Sequence, residues 1–185
     1  RDLSDAEKQG INAAYYTSVQ FLDRNAGAVL DGLKQLGLEE NTLVVYTADH
    51  GYNLGHHGRF EKHCCYDQAL RVPLMMRCPA SFRGGRVIDA CTESVDIPST
   101  ILQILEAPPL PVNHGRSLAA LLHGRTRAHR DLIFTEYLEN EEAAVRTAEW
   151  KFIFCSGRRE RGDGYKTDNP TPGRYKRLYN LKSDP

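Results

Sequence analysis

The sequence predicts an α/β fold, with helices packed on a mostly parallel sheet and a small antiparallel sheet after it. Three observations predict this. Residues from about Asp5 to Leu36 repeat apolar side chains at helical spacing. Leu43 to Tyr46 is a short apolar run of β-branched and aromatic residues without polar alternation. From about Asp131 the chain breaks into short apolar segments separated by polar or Gly-rich stretches. The first two features read as a core helix leading into a buried strand, and the third as a series of hairpins. The chain therefore divides into an α/β part, residues 1–130, and a small antiparallel part, residues 131–185.

The helix is amphipathic: Ile11, Tyr15, Val19, Leu22, Ala26, Val29, Leu30 and Leu33 form one stripe, expected to be core. Ser4 is placed to cap it and Gly37 to end it. Leu43 to Tyr46 is apolar on both faces, as in a strand in the middle of a parallel sheet. Val72 to Cys78 reads as a second buried strand and Arg86 to Thr92 as another. Asp96 is expected to cap a short helix with Pro98 in its first turn, running to about Leu105. APPLPVN is a turn or linker. DLIFTEY, AAVRTAEWKFIFC and YKRLYNL supply the antiparallel strands, with a hairpin turn at Glu149 and Trp150 and the indole packed at its base. SGRRERGDGYKTDNPTPGR is a long exposed excursion.

Chemistry concentrates after the first strand. In open α/β sheets ligands bind beyond the carboxyl ends of strands, where Asp49 and His50 fall. Gly51, Gly55 and Gly58 then allow a sharply turning loop. Four of the seven histidines, His50, His56, His57 and His63, lie within fourteen residues, beside Asp49 and Lys62. Carboxylate, imidazole and ammonium together suit a metal or an anion, although the spacing fits no closed zinc motif. The same residues also suit a solvated loop in which Asp49 only caps a turn.

In register, Thr47, Asp49, His50, Gly51, Leu54, Gly55, His57, Gly58, Lys62, Asp67, Val72, Pro73 and Leu74 follow the pattern T-S-D-H-G-x-x-L-G-x-H-G-x-x-x-K, then an acidic residue, then V-P-L. Ala48 replaces the usual Ser. This resembles the C-terminal half of the sulfatases, in the alkaline phosphatase superfamily. The segments VDIPST and HGRSL resemble V-D-x-x-P-T and D-G-x-S-L, with His114 standing where Asp is usual. LYNLKSDP resembles L-Y-D-L-x-x-D-P. The likeness covers nearly the whole chain.

The resemblance implies an alkaline-phosphatase-like fold and metal-dependent hydrolysis of a sulfate monoester, on a small molecule or a carbohydrate. It implies that Asp49 and His50 are two ligands of one divalent ion, Ca²⁺ or alternatively Mn²⁺, and that Lys62 contacts the sulfate and the ester oxygen. His57 is a further catalytic candidate that either touches substrate or shapes the loop. His63 is a candidate for substrate binding, and Cys64 and Cys65 either tune specificity or pack. The nucleophile of such enzymes is a formylglycine made within C/S-x-P-S-R, a motif none of the five cysteines opens. The expectation is a fragment lacking the N-terminal half that carries it, inactive alone and prone to self-association. Phosphonate or phosphate monoester hydrolysis is the alternative within the superfamily, and a non-catalytic metal- or carbohydrate-binding module the alternative outside it.

Composition adds exclusions. With 24 basic and 24 acidic residues the chain lacks the charge of a nucleic-acid binder, and no apolar run approaches the roughly 18 residues that span a membrane. Arg158, Arg159, Arg161 and Lys166 read as a solvated loop rather than an anion groove. The five cysteines have no metal-type spacing and are expected as thiols.

Overall fold

The computed structural model describes residues 3–137, 141–158 and 173–184. It comprises two compact units. One is the chain up to Lys62 together with Gln68–Ala80; the other is His63–Asp67 together with the chain from Ser81 onward.

The first unit is built on α1, Asp5–Gln35. Its start is a reciprocal capping box: Ser4 Oγ accepts from Glu7 N–H at 3.3 Å, and Glu7 Oε2 accepts from Ser4 N–H at 2.8 Å. Its end is a Schellman turn. Gly37, at φ +67°, donates to Lys34 O, while Leu38 N–H reaches back to Leu33 O at 2.9 Å. Both predicted boundaries hold.

The predicted core stripe does not. No residue of α1 is buried, and Val29 is 67% exposed. The reason is size. A helix of 31 residues runs roughly 46 Å at 1.5 Å per residue. The only sheet of this unit among the described residues is a ribbon of two four-residue strands, roughly 13 Å long. Tyr15 meets the Tyr52 ring at 5.9 Å, while Tyr16, Phe21 and Leu30 face outward.

The ribbon joins β1, Val44–Thr47, to β2, Leu74–Arg77, in antiparallel register from Val44↔Arg77 to Thr47↔Leu74. The parallel neighbour expected for β1 is not found among the described residues. The strand expected at Val72 to Cys78 is shorter and alternates: Leu74 and Met76 are half-buried, Met75 and Arg77 exposed. One wet face is what an antiparallel ribbon tolerates. Arg77 and Ala80 tie β2 to the turn at Glu39–Asn41 through Glu39 O and Glu40 O.

The second unit holds α3, Asp96–Ile104, α4, Ala119–Leu122, and a meander of β3, Ile133–Tyr137, β4, Glu142–Arg146, β5, Trp150–Cys155, and β6, Tyr175–Asn180, all antiparallel neighbours in that order. The short α2, Asp67–Leu70, spans the boundary in sequence. The antiparallel sheet is thus as predicted, whereas Arg86 to Thr92 forms no strand and contributes one isolated bridge, Cys91↔Arg130.

Asp96 also departs from expectation. The helix is capped by Val95, and Asp96 is its first residue. Its buried carboxylate instead gathers five donors: Glu93 N–H, Arg116 N–H, His129 Nε2, and Arg130 through Nε and Nη2. Burial pushes its pKa up, but the hydrogen bonds from Arg130, Arg116, Glu93 and His129 outweigh burial and hold it at about 2. His114 lends Arg130 only its backbone carbonyl, its side chain being exposed. The neighbouring Gly115 is required by space, since a Cβ there would lie 1.9 Å from Val95 O.

The sheet mixes charge into its apolar buried face and leaves apolar side chains on the other. Glu142, Lys151 and Ile153 point to the buried side, while the cross-strand row Phe134, Val145, Phe152 and Leu178 faces out, Leu178 being 63% exposed. The burial of charge is compensated: Asp67 accepts from Lys151 Nζ at 2.5 Å and Arg146 Nε at 3.3 Å, and Glu142 accepts from Cys65 N–H and Tyr175 OH, both at 2.6 Å. Trp150, expected at the base of the hairpin, opens β5 and is 44% exposed; Thr147 Oγ1 forms the turn by accepting from Glu149 N–H and Trp150 N–H. Most of the predicted excursion, with Arg159, Arg161 and Lys166, lies outside the described residues. No helix among those described is long and apolar enough to cross a membrane.

Candidate active site

β1 delivers Ala48, Asp49 and His50 at its carboxyl end. Asp49 Oδ1 accepts from His50 N–H at 2.9 Å, turning the chain at once. Gly51 then donates to Ala69 O at 2.7 Å and lies so close to α2 that a Cβ would come within 2.0 Å of Gln68 O. Only glycine fits there.

The loop folds back as a closed excursion. Asn53 donates to Glu61 O through both its backbone N–H and its Nδ2, Gly55 N–H donates to Arg59 O, and Tyr52 OH donates to Phe60 O. Arg59 and Glu61 form a buried ion pair at 2.7 Å under the loop. Leu54 and His57 adopt left-handed φ of +48° and +57°, conformations that cost an L-residue energy and mark a tightly determined loop. His57 Nε2 reaches Gln68 Oε1 at 3.1 Å, a partner that neither residue type nor spacing singles out.

Folding the loop back brings Lys62 to His50. Lys62 Nζ lies 2.6 Å from His50 Nε2, and Asp49 Oδ2 lies 3.4 Å from the same nitrogen. His50 Nδ1 is 2.9 Å from Gly51 O. A carbonyl only accepts, so Nδ1 carries the proton and Nε2 presents its lone pair. Three of the five predicted site residues, Asp49, His50 and Lys62, therefore converge.

The other two have partners of their own. His57 is turned to Gln68, and His63 belongs to the second unit, its ring 5.9 Å from that of Tyr137. Cys64 and Cys65 are buried, and all five cysteines are thiols. Burial, with Glu142 nearby, pushes the Cys65 thiol far up, which makes it unreactive.

The donor set fits a divalent cation in part. A carboxylate oxygen and an imidazole lone pair, side by side on an exposed turn, are two suitable ligands, Asp49 being 86% exposed in its side chain. Among the described residues no group of three or more His, Cys, Asp or Glu side chains forms a fuller cage.

Two family profiles match the chain. One described as sulfatase covers residues 2–107, and one described as N-sulphoglucosamine sulphohydrolase, C-terminal, covers residues 55–185. An N-acetylglucosamine-6-O-sulfatase of Bacteroides thetaiotaomicron is 32% identical over 75% of this chain and 27% of its own. A solved structure of a protein in complex with its substrate D-glucosamine-2-N,6-O-disulfate superposes with a TM-score of 0.75, at 26% identity, covering 89% of this chain and 33% of that one. A phosphonate monoester hydrolase from Silicibacter pomeroyi superposes with a TM-score of 0.68 at 27% identity, over 87% of this chain and 33% of that one. The chain spans 27% to 32% of the length of the first curated relatives it matches.

Proposed function

This chain belongs to the sulfatase family, with its alkaline-phosphatase-like α/β fold, and from that premise we propose that Asp49, His50 and Lys62 form one part of a site for hydrolysing a sulfate monoester. The observation that carries the reading is the 2.6 Å approach of Lys62 to His50 at the end of β1. It puts the loop's ammonium beside two metal-type donors.

Asp49 and His50 would hold the divalent cation that the family implies, Ca²⁺ in the first instance and Mn²⁺ as the alternative. When bound, such an ion polarises a sulfuryl oxygen and orients the nucleophile. Lys62 donates to the bridging ester oxygen, where negative charge grows as the bond to sulfur breaks, so its contribution is larger in the transition state than in the ground state. His57, held by Gln68, keeps the loop in shape, and His63, next to Lys62 in sequence, is the candidate for contact with the rest of the substrate. The nucleophile is assigned to a formylglycine outside these 185 residues. Relatives and neighbours named for sulfated glucosamines support a carbohydrate sulfate as the substrate class.

The test is an assay of the full polypeptide encoded with this sequence, on matched sulfate and phosphate esters. Sulfate turnover should dominate, and Lys62→Ala should lower kcat by about 10²- to 10³-fold, the size of losing one charge-stabilising donor. Arg127→Ala, an exposed residue away from the loop in sequence, should leave it unchanged. The likeness to a phosphonate monoester hydrolase favours a second reading within the same superfamily, which preferred turnover of phosphonate or phosphate monoesters would establish instead.

A further inference from the structure

The proposed chemistry needs His50 for the cation and Lys62 for the substrate, yet the two side chains hold each other at 2.6 Å. His50 has one lone pair to give. Its Nδ1 is committed as a donor to Gly51 O at 2.9 Å, so Nε2 alone can accept, and there it accepts from the Lys62 ammonium. An ammonium donor and a metal ion cannot share that lone pair.

We infer that Lys62 and a divalent cation are alternative partners of the His50 lone pair, and that a cation taking it releases Lys62 toward an anionic substrate group. This rests on Asp49 and His50 being the ligands. Lys62 is exposed and its four-carbon stem lets the ammonium swing while the loop backbone stays still. The backbone is pinned on both sides of the turn by Gly51 to Ala69 and Asn53 to Glu61, so the exchange needs no loop opening. The arrangement couples two ligands positively: the cation meets a histidine that must shed one hydrogen bond, and the anion then meets an unengaged ammonium.

The experiment follows the ¹⁵N resonances of His50 Nε2 and Lys62 Nζ, selectively labelled in the full polypeptide encoded with this sequence, during titration with Ca²⁺. Both should move with a single midpoint. Two variants separate hydrogen bonding from charge. Lys62→Met and Lys62→Gln both remove the charge that repels a cation, but only Gln keeps an N–H donor. The Met variant should therefore bind Ca²⁺ about 2- to 10-fold more tightly than the Gln variant, the factor that one net hydrogen bond represents. Equal affinity of the two variants, a His50 signal that shifts while Lys62 stays still, or no response of either resonance overturns the inference. His50→Ala and Asp49→Ala report on the underlying reading: each should abolish the response, and an unchanged Ca²⁺ affinity in both would sink the ligand assignment itself.

Discussion

Gly51 is the residue on which the candidate site turns. Its Cα packs so near Gln68 O that a methyl group has nowhere to go, and the obstacle is backbone, which cannot rotate away. Gly51→Ala should therefore cost about 1 to 3 kcal/mol through overpacking, read as a lower urea midpoint, and should displace the Asp49–His50 turn. Asp96 makes a prediction about acid. Its carboxyl is held at about 2 in the folded chain against 3.8 ordinarily, so its contribution is complete above roughly pH 4 and is lost as pH falls toward 2, on the order of 2 kcal/mol. Asp96→Asn should flatten that part of the acid limb and lower stability at neutral pH, because the half-buried Arg130 then keeps only Glu93 of its two carboxylate partners. Urea unfolding at several pH values checks both. Three of the residues singled out by type and spacing, Asp49, His50 and Lys62, lie together once the loop is folded. Gln68 was not legible, because an amide that orients His57 carries no signal until the loop is folded. Asp96 was legible as important and misread in role, since a carboxylate before a helix looks the same whether it caps the helix or collects two side chains from more than thirty residues away.

Among the elements, α1 was the easiest to delimit and the hardest to place. Capping box and Schellman turn are local chemistry, written into Ser4, Glu7 and Gly37; burial of the stripe between them depends on what packs against it, which no periodicity encodes. Ser4→Ala should cost about 1 kcal/mol and fray the first turn, measurable as a loss of helical circular dichroism. β1 and β2 were found to within two residues, but their antiparallel pairing was not, since an uninterrupted apolar run does not state the direction of its partner. The segment Arg86 to Thr92 failed as a strand for a related reason. Its apolar residues do not state what they pair with: only Cys91 forms a bridge, and Arg86 instead donates to Leu121 O and Leu122 O at the end of α4. The strands of the meander were legible as short apolar segments, and β3 to β5 as hairpins because their connections are short.

For the molecule as a whole, two apolar faces stand uncovered in this chain: the α1 stripe of one unit and the outer row of the sheet in the other. Each large aliphatic or aromatic side chain left in water forgoes roughly 1.5 to 3 kcal/mol, and a few such losses rival a domain's margin of about 5 to 15 kcal/mol. The 185-residue chain is therefore expected to self-associate or to melt early. Light scattering after size exclusion, with thermal unfolding, checks this: a monodisperse monomer with a Tm above about 65 °C would contradict it. Balanced charge works in the same direction, since 24 acidic and 24 basic residues leave no net repulsion to keep copies apart.

Trp150 turns the uncovered sheet into an optical instrument. It is the sole tryptophan of the chain, and its indole stands partly in solvent at the start of β5, paired with Asn180 and one step from Phe152 in the exposed row. Intrinsic emission excited at the indole band thus comes from one address, on the face that carries Phe134, Phe152 and Leu178. In the free chain it should be red-shifted and open to quenching by iodide. Whatever polypeptide or ligand comes to lie on that face should move the emission to the blue and shield it, giving a label-free readout of coverage from a side chain that nature has already placed.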